Sequence, residues 1–467
     1  MTNTTLAAAA ADLGRRVRGP VSLPGQRDHD LERAGFNLAA EQRPALAVGA
    51  ADPADVRAAV AFAADHSLPV SVRATGHGGG RPVEGGLLIT TRRMAHVSVD
   101  PHTRTASVGA GARWQQVIDR AARFGLAPLN GSSPLVGAVG YTLGGGLPVL
   151  GRTFGWAADR VRGVGLVTAD GHSLQVGPDG HADLFWALRG ARNGFGVVTS
   201  MDVGLVPVAS LHGGGLYFPG ERAAQVLHAW REWVAGVPEE TNSSVALLRL
   251  PDEEGVPAPM RGRLTVHVRV AHTGTGESGE ALLRPLRKVA PCLRDTVGPI
   301  PATAIASVHD DPTRPLPYDE GSLMLRSFDE SAVDALLGAV GPDSGEEGIA
   351  MAEVRHLGGA LNRTPEHPRA LDHRGAAFSL LALTPPAGTA GGRPAGELLL
   401  ERMAPWGTGL RFLNFLGGPG GEALARDAFT PQTRSALAEI KARHDPAGLF
   451  PADHFLPADT GSRVRAS

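Results

Sequence analysis

The sequence predicts an α+β protein in two parts. Strands and helices come first in mixed order, then an antiparallel sheet with helices packed on one face. Three observations carry this. Capping signals and short apolar runs alternate along the chain before Pro207. Beyond Pro207, candidate strands are separated by Pro- and Gly-rich loops. The 467 residues, at roughly 150 per domain, allow about three domains or two large ones.

The elements follow in order. Asp52-Pro53-Ala54-Asp55 reads as a helix start: Asp52 caps, Pro53 suits the first position and Asp55 favours the positive helix end. Val56, Ala59, Val60 and Ala63 then recur on one face. His66-Ser67 ends this helix, and residues 69–73 read as a strand, followed by strands over 86–91, 96–100 and 105–109. A helix is expected over 113–124, with Gly125 as its left-handed stop. Residues 129–154 contain Gly137, Gly140, Gly144, Gly145, Gly146 and Gly151, so neither a helix nor an ordinary strand is expected there. A hairpin turning at Asp170-Gly171 spans 161–176, a short helix 182–189 and a strand 196–205. An amphipathic helix over 222–234 precedes strands at 244–250, 264–271, 323–328, 349–356 and 377–383. Thr430 caps and Pro431 opens a last helix, over 432–443. The apolar run 6–11 is short for a secretory core and has no basic segment before it, so a frayed or helical leader is expected.

Composition narrows the function. Hydrophobic residues at 42% and charged residues at 20% suit a globular core. A net charge of −2 leaves no electrostatic footprint for nucleic acid or an anionic membrane. No apolar run reaches the length of about 18 residues that a membrane span needs. The single Cys292 excludes an internal disulfide framework and a Cys-rich metal site. The 17 His lack supported metal-ligand spacing. No Gly-x-Ser-x-Gly elbow marks a hydrolase. The expectation is a cytoplasmic protein that binds no metal, nucleic acid or membrane.

Two glycine-rich segments carry the chemistry. Arg73-Ala74-Thr75-Gly76-His77-Gly78-Gly79-Gly80 follows a strand, and its backbone amides suit an anion such as a pyrophosphate. A surface turn with His77 as an ordinary polar residue is the alternative. The second segment, 130–146, suits a phosphate- or ring-contacting loop. It fits neither G-x-G-x-x-G between strand and helix nor the P-loop.

Together and in this order, the two segments resemble the PCMH-type FAD-binding domain of the vanillyl-alcohol-oxidase superfamily, in its berberine-bridge-enzyme-like branch. The family's Arg-x-Gly-Gly-His segment reads here Arg73-Ala74-Thr75-Gly76-His77. Its Val-Gly-x-x-Gly-(His/Tyr)-x-x-Gly-Gly-Gly segment is Val136 to Gly146. Further matches are Asp183-Leu184-Phe185-Trp186, Asn193-Gly194-Phe195-Gly196-Val197, Asn414-Phe415 and Lys441-Ala442-Arg443-His444-Asp445-Pro446. The resemblance implies that residues 1–207 and 420–467 form a two-part flavin domain, and 208–419 a substrate domain whose antiparallel sheet covers the ring. It implies FAD contacts from Arg73, Ala74, Thr75, Gly76, His77 and Gly78. Ser133, Val136, Gly137, Gly140, Tyr141, Thr142, Gly144, Gly145 and Gly146 join them from the second loop, with Gly196, Val197, Asn414 and Phe415. His77 would carry the flavin covalently through its 8α-methyl carbon. Many relatives add a second bond from a Cys, where this chain has Ser133, so a single link is expected.

The resemblance also implies an FAD-dependent oxidase that takes a hydride from a small substrate and passes the electrons to O2, giving H2O2. Val136 stands where relatives with a small residue admit oxygen. Relatives often carry a catalytic Tyr where this chain has Phe412, which has no ionisable group. Tyr141, Glu353, Arg355 and Asn414 are therefore the candidate catalytic residues, with Glu353 the first alternative base and Arg355 a substrate anchor. The missing Tyr favours an amine, which needs no base at a hydroxyl, or a ring-forming oxidation. A cyclase with FAD in a non-redox role is the alternative, and a non-catalytic flavin-binding protein a third. Substrate identity and oligomeric state stay open.

Overall fold

The computed structural model describes residues 3–78, 84–386, 394–418, 424–452 and 454–456. Three sheets organise them. In the first, Leu46–Gly49 and Val70–Arg73 each pair in parallel with Leu87–Thr90, and Val21–Ser22 adds an antiparallel edge. Helix Pro53–Asp65 makes the crossover from Leu46–Gly49 to Val70–Arg73. The Asp52 carboxylate caps it, accepting from the Ala54 and Asp55 amides at 2.8 and 3.1 Å. Val56, Ala59, Val60 and Ala63 are fully buried, as their spacing requires.

The second sheet is antiparallel, in the order Val97–Asp100, Thr105–Gly109, Val197–Gly204, Val161–Val167, Ser173–Val176. Its Val167 and Val197 complete the core around helix Pro53–Asp65. The leader is a helix, Asn3–Arg16, and it is not frayed: Ala10 and Leu13 are buried in that same core.

The third sheet runs Arg294–Asp295, Ser210–Pro219, Leu264–His272, Thr241–Arg249, Met351–His356, Phe378–Thr384, Asp319–Leu325, with Gly298–Pro301 also paired to Ser210–Pro219. Side chains alternate across it. Val245, Leu247, Val266, Val268, Val354 and Leu380 are buried against helices Ala223–Val234, Gly276–Arg287, Glu330–Val340 and Ala395–Met403. Tyr217, His267, Arg269, Glu353, Arg355, Leu381 and Glu320 occupy the opposite face.

Several elements differ from the sequence expectation. Within 129–154, Ala138–Leu143 is a helix. Its Ala138, Val139, Thr142 and Leu143 are buried, and this packing outweighs the weak propensity of Gly140. Strand Ser210–Pro219 is not anticipated, because Gly213-Gly214-Gly215 weakens any strand signal. Gly215 is required there: the His267 imidazole fills the space a Cβ would occupy. The strand expected over 323–328 instead spans Asp319–Leu325.

Among the described residues no helix is long and apolar enough to cross a membrane. Nor, among the same residues, is any group of three or more His, Cys, Asp or Glu placed to hold a metal ion.

The C-terminal helix Pro431–His444 starts at Thr430, whose hydroxyl accepts from the Thr433 amide at 3.2 Å. Its Lys441 is buried. The ammonium donates to the Gly194 and Phe450 carbonyls at 2.7 and 2.6 Å and pairs with Asp445. Asp445 in turn accepts from the Leu449 and Phe450 amides at 2.9 and 2.8 Å. The Leu449 carbonyl then accepts from the Val70 amide at 2.8 Å, which ties the tail to the strand leading into the first glycine-rich loop. Lys441→Met leaves a buried carboxylate uncompensated. It should lower the unfolding free energy by about 3–5 kcal/mol in a denaturant titration, and adding Asp445→Asn should recover part of the loss.

Candidate functional site

A cavity of about 1590 Å³ lies between the glycine-rich loops and the polar face of the third sheet. An ordinary small-molecule site has about 300–1,000 Å³, so this one has room for a large ligand and a second, smaller one.

The first loop forms one wall. Arg73, Ala74, Thr75, Gly76, His77 and Gly78 all border the cavity, and Gly79 and Gly80 lie outside the described residues. The Arg73 guanidinium is used internally, donating to the carbonyls of Arg33 and Ala40. The Thr75 and Gly76 carbonyls accept from the Phe36 and Asn37 amides, each at 3.0 Å. The His77 ring stacks on Phe36 with centroids 3.9 Å apart. Its Nδ1 lies 2.9 Å from the Thr75 hydroxyl, and its carbonyl accepts from the Tyr318 hydroxyl at 2.9 Å. Burial, helped by Arg113 and opposed by Asp311, pushes the His77 pKa down to about 4. The ring is therefore neutral at pH 7, and its buried Nε2 has no hydrogen-bond partner among the described residues.

Thr75 joins the two loops: its hydroxyl also accepts from the Gly137 amide at 3.2 Å. Ser133, Val136, Gly137, Gly140 and Tyr141 line the cavity from the second loop. The Tyr141 ring sits between two glycines. A Cβ on Gly131 would come within 2.8 Å of the ring, and one on Gly146 within 2.5 Å. Its hydroxyl is buried without a partner, and burial raises its pKa well above the usual phenol value, so it stays protonated. Thr142, Gly144, Gly145 and Gly146 stand behind the wall. Gly196 borders the cavity, but Val197 points into the core and Val198 lines the wall instead. Cys292 packs on the helical side of the third sheet, away from the cavity.

Asn414 and Phe415 line the opposite edge. The Asn414 amide nitrogen donates to the Tyr141 carbonyl at 2.8 Å, and Arg192 donates to the Leu413 carbonyl at 2.7 Å. Phe412 does not line the cavity. Its ring is fully buried among Trp156, His373 and Phe415.

The sheet forms the ceiling. Glu353 has no solvent exposure. It accepts from Ser244 at 2.7 Å, Arg269 at 2.6 Å and Arg355 at 2.9 Å, and His309 lies 3.5 Å away. Burial alone would raise its pKa, but Arg355 and Arg269 outweigh that and hold it well below the usual carboxylate range. Arg355 also lies over the Phe415 ring, 4.9 Å from its centroid. Glu320 behaves in the opposite way. It is half-buried at the edge of the cavity, and burial pushes its pKa up to about 8. Asp311 and Asp319 add to that shift, while Arg192 and Arg355 oppose it.

The wall fits a flavin dinucleotide. Two glycine-rich backbones meet at Thr75, and two buried polar atoms, His77 Nε2 and Tyr141 Oη, lack partners among the described residues. Phe36, Arg192, Tyr318 and Glu320 belong to this site and are not anticipated from sequence. Glu320 falls before the start of the expected strand. Extending the alternation back from Leu323 would have placed Ser322 and Glu320 on the other face.

Residues 44–177 match the family model described as an FAD binding domain. The chain is 27% identical to (R)-6-hydroxynicotine oxidase of Paenarthrobacter nicotinovorans, over 94% of this chain and 98% of that protein. Two solved structures share the fold. Physcomitrella patens BBE-like 1 has a TM-score of 0.81 at 19% identity, covering 98% of this chain and 99% of that one. Glucooligosaccharide oxidase from Acremonium strictum, described with a 6-S-cysteinyl, 8α-N1-histidyl FAD, has a TM-score of 0.79 at 20% identity, covering 96% and 98%. Residues 44–177 are thus an FAD-binding domain, and along nearly its whole length the chain is similar to FAD-linked oxidoreductases of the vanillyl-alcohol-oxidase fold.

Proposed function

We propose that this enzyme is an oxidase of small organic amines, with FAD anchored through His77 alone. The observation that carries the amine reading is the state of the proton acceptors near the ceiling. Phe412 is buried outside the cavity, and the Tyr141 and Tyr318 hydroxyls are held protonated by burial. Glu353 is neutralised by two guanidiniums, and Glu320, its pKa pushed up to about 8 by burial, is mostly protonated at neutral pH. Oxidising an alcohol calls for a base at the hydroxyl in step with hydride loss. An amine needs only its nitrogen lone pair. The relative that matches over nearly its whole length is named for a hydroxynicotine oxidase, which fits a nitrogen substrate.

Residues 1–207 and 420–467 are taken as the flavin-binding part and 208–419 as its cover. Arg73 holds the first loop in shape. Thr75 locks it to the second. Asn414 and Arg192 fix the Tyr141 segment, and Glu353 positions Arg355. FAD held there would supply a two-electron acceptor for hydride from the carbon next to nitrogen, with O2 as the final acceptor, and Val136 would stand at the point of oxygen access. The oxidation is tested by peroxide release and product mass over matched amines and alcohols. Peroxide with a loss of two hydrogens from amines is expected. Conserved mass without peroxide would instead favour a cyclase, and oxidation of alcohols alone would end the amine reading.

His77 is suited to be the anchor, being a neutral imidazole with a free Nε2. Acid-precipitated holoenzyme should stay yellow, and His77→Ala should release its flavin. Peptide mapping should find flavin on the His77 peptide only, because Ser133 is no match for a thiolate nucleophile. A colourless precipitate, or a second flavin-bearing peptide, would contradict the single link.

Glu353→Gln tests the positioning role. Stability should fall by about 3 kcal/mol or more as two buried guanidiniums lose their counter-charge. The pH dependence of flavin reduction should keep its midpoint. A drop of about 10²–10⁴-fold in reduction rate with flavin still bound would restore Glu353 as a base.

A further inference from the structure

We infer that the cavity selects a lipophilic amine, its nitrogen held at Glu320 and its apolar body lying along Leu383, Met351 and Leu248. This inference rests on the amine-oxidase reading and deepens it.

The register of the third sheet places these four residues in one line. Leu248 pairs with Met351, Met351 with Leu383, and Leu383 with Glu320. All four border the cavity. At about 4.8 Å per strand, the row is roughly 14 Å long, the length of a substituted aromatic amine. It is an apolar strip that ends in one carboxyl group. The next row, two residues along each strand, is different: Glu353, Leu381 and Ser322 pair in line there, and Glu353 is already neutralised.

Glu320 itself has no hydrogen bond or ion pair to its carboxyl group among the described residues. The groups that act on it electrostatically are Arg192, Arg355, Asp311 and Asp319, with Tyr318 beside it in the chain. Both guanidiniums are engaged elsewhere. Arg355 is paired with Glu353, and Arg192 donates to the Leu413 carbonyl and the Asn414 side chain. Two carboxylates, Asp311 and Asp319, deepen the local demand for a cation. A half-buried carboxyl group without a partner is costly to ionise, and a bound ammonium removes that cost.

The proton balance is simple. An ammonium meeting the Glu320 carboxylate, or a free amine meeting the protonated acid, gives the same ion pair. Before oxidation the proton moves from nitrogen to a Glu320 oxygen. The N–H bond breaks, the O–H bond forms, and the lone pair returns to nitrogen.

The test uses holoenzyme and two probes that cannot be oxidised, since neither has hydrogen on the carbon bearing the heteroatom: α,α-dimethylphenethylamine and α,α-dimethylphenethyl alcohol. Calorimetry from about pH 6.5 to pH 9 should show the amine binding at least about tenfold more tightly than the alcohol at the upper end. The amine is a cation throughout, and it needs the ionised Glu320, whose pKa lies near 8. Its dissociation constant should therefore fall by up to about tenfold per pH unit below that value and then level off. Alcohol binding should stay flat. Glu320→Gln should erase both the preference and the pH dependence while leaving the flavin spectrum intact, and Glu320→Asp should keep part of each. Equal affinities in the wild type, no amine binding, or an unchanged preference in Glu320→Gln would overturn the inference. If the Gln variant fails to fold, the wild-type pH profile alone decides. Peroxide assays report separately on oxidation: a protein that binds amines through Glu320 yet oxidises only alcohols would lose the amine-oxidase reading and keep the binding site.

Discussion

Glu353 sets the terms for the ceiling of the cavity. A carboxylate with no exposure is tolerable only if charges and donors surround it, and here Arg269, Arg355, Ser244 and His309 do so. That requirement fixes two guanidiniums on the strands that flank Thr241–Arg249 and orients Arg355 over Phe415. It also leaves Glu320, one row away, as the carboxyl group whose charge is not already met. Two glutamates on one sheet face thus take opposite roles, decided by whether arginines reach them.

The alternation of the third sheet makes this division of labour possible. One face is Val, Leu and Ala against four helices. The other gathers charged and aromatic side chains from six strands over the glycine-rich loops. Neither face would be stable without the other: the helical face supplies the apolar burial that offsets the ordering of so many polar groups.

Much of this was legible in the sequence. The capped helices, the Asp170-Gly171 hairpin and the two glycine-rich loops are governed by local chemistry, and they fall where their residues say. What was not legible depends on distant partners. Ser210–Pro219 is a strand because its neighbours pair with it, despite three glycines, and Ala138–Leu143 is a helix because its apolar side is buried. Phe412 stands at the motif position where relatives often carry a catalytic Tyr, and only the fold shows its ring packed with Trp156 and His373. For Glu320, strand alternation gives the face but not the chemistry. Its chemistry comes from Leu383, Met351 and the two aspartates, brought together only by register and folding.

The Lys441 anchor has a consequence for how the enzyme matures. The strand that delivers His77 receives a hydrogen bond partner from Leu449, and Leu449 is held by an aspartate that depends on Lys441. The wall that receives the cofactor is thus assembled from both ends of the chain. It is complete only once the C-terminal helix has been made and packed, so a chain truncated before Leu449 would lack a finished cradle.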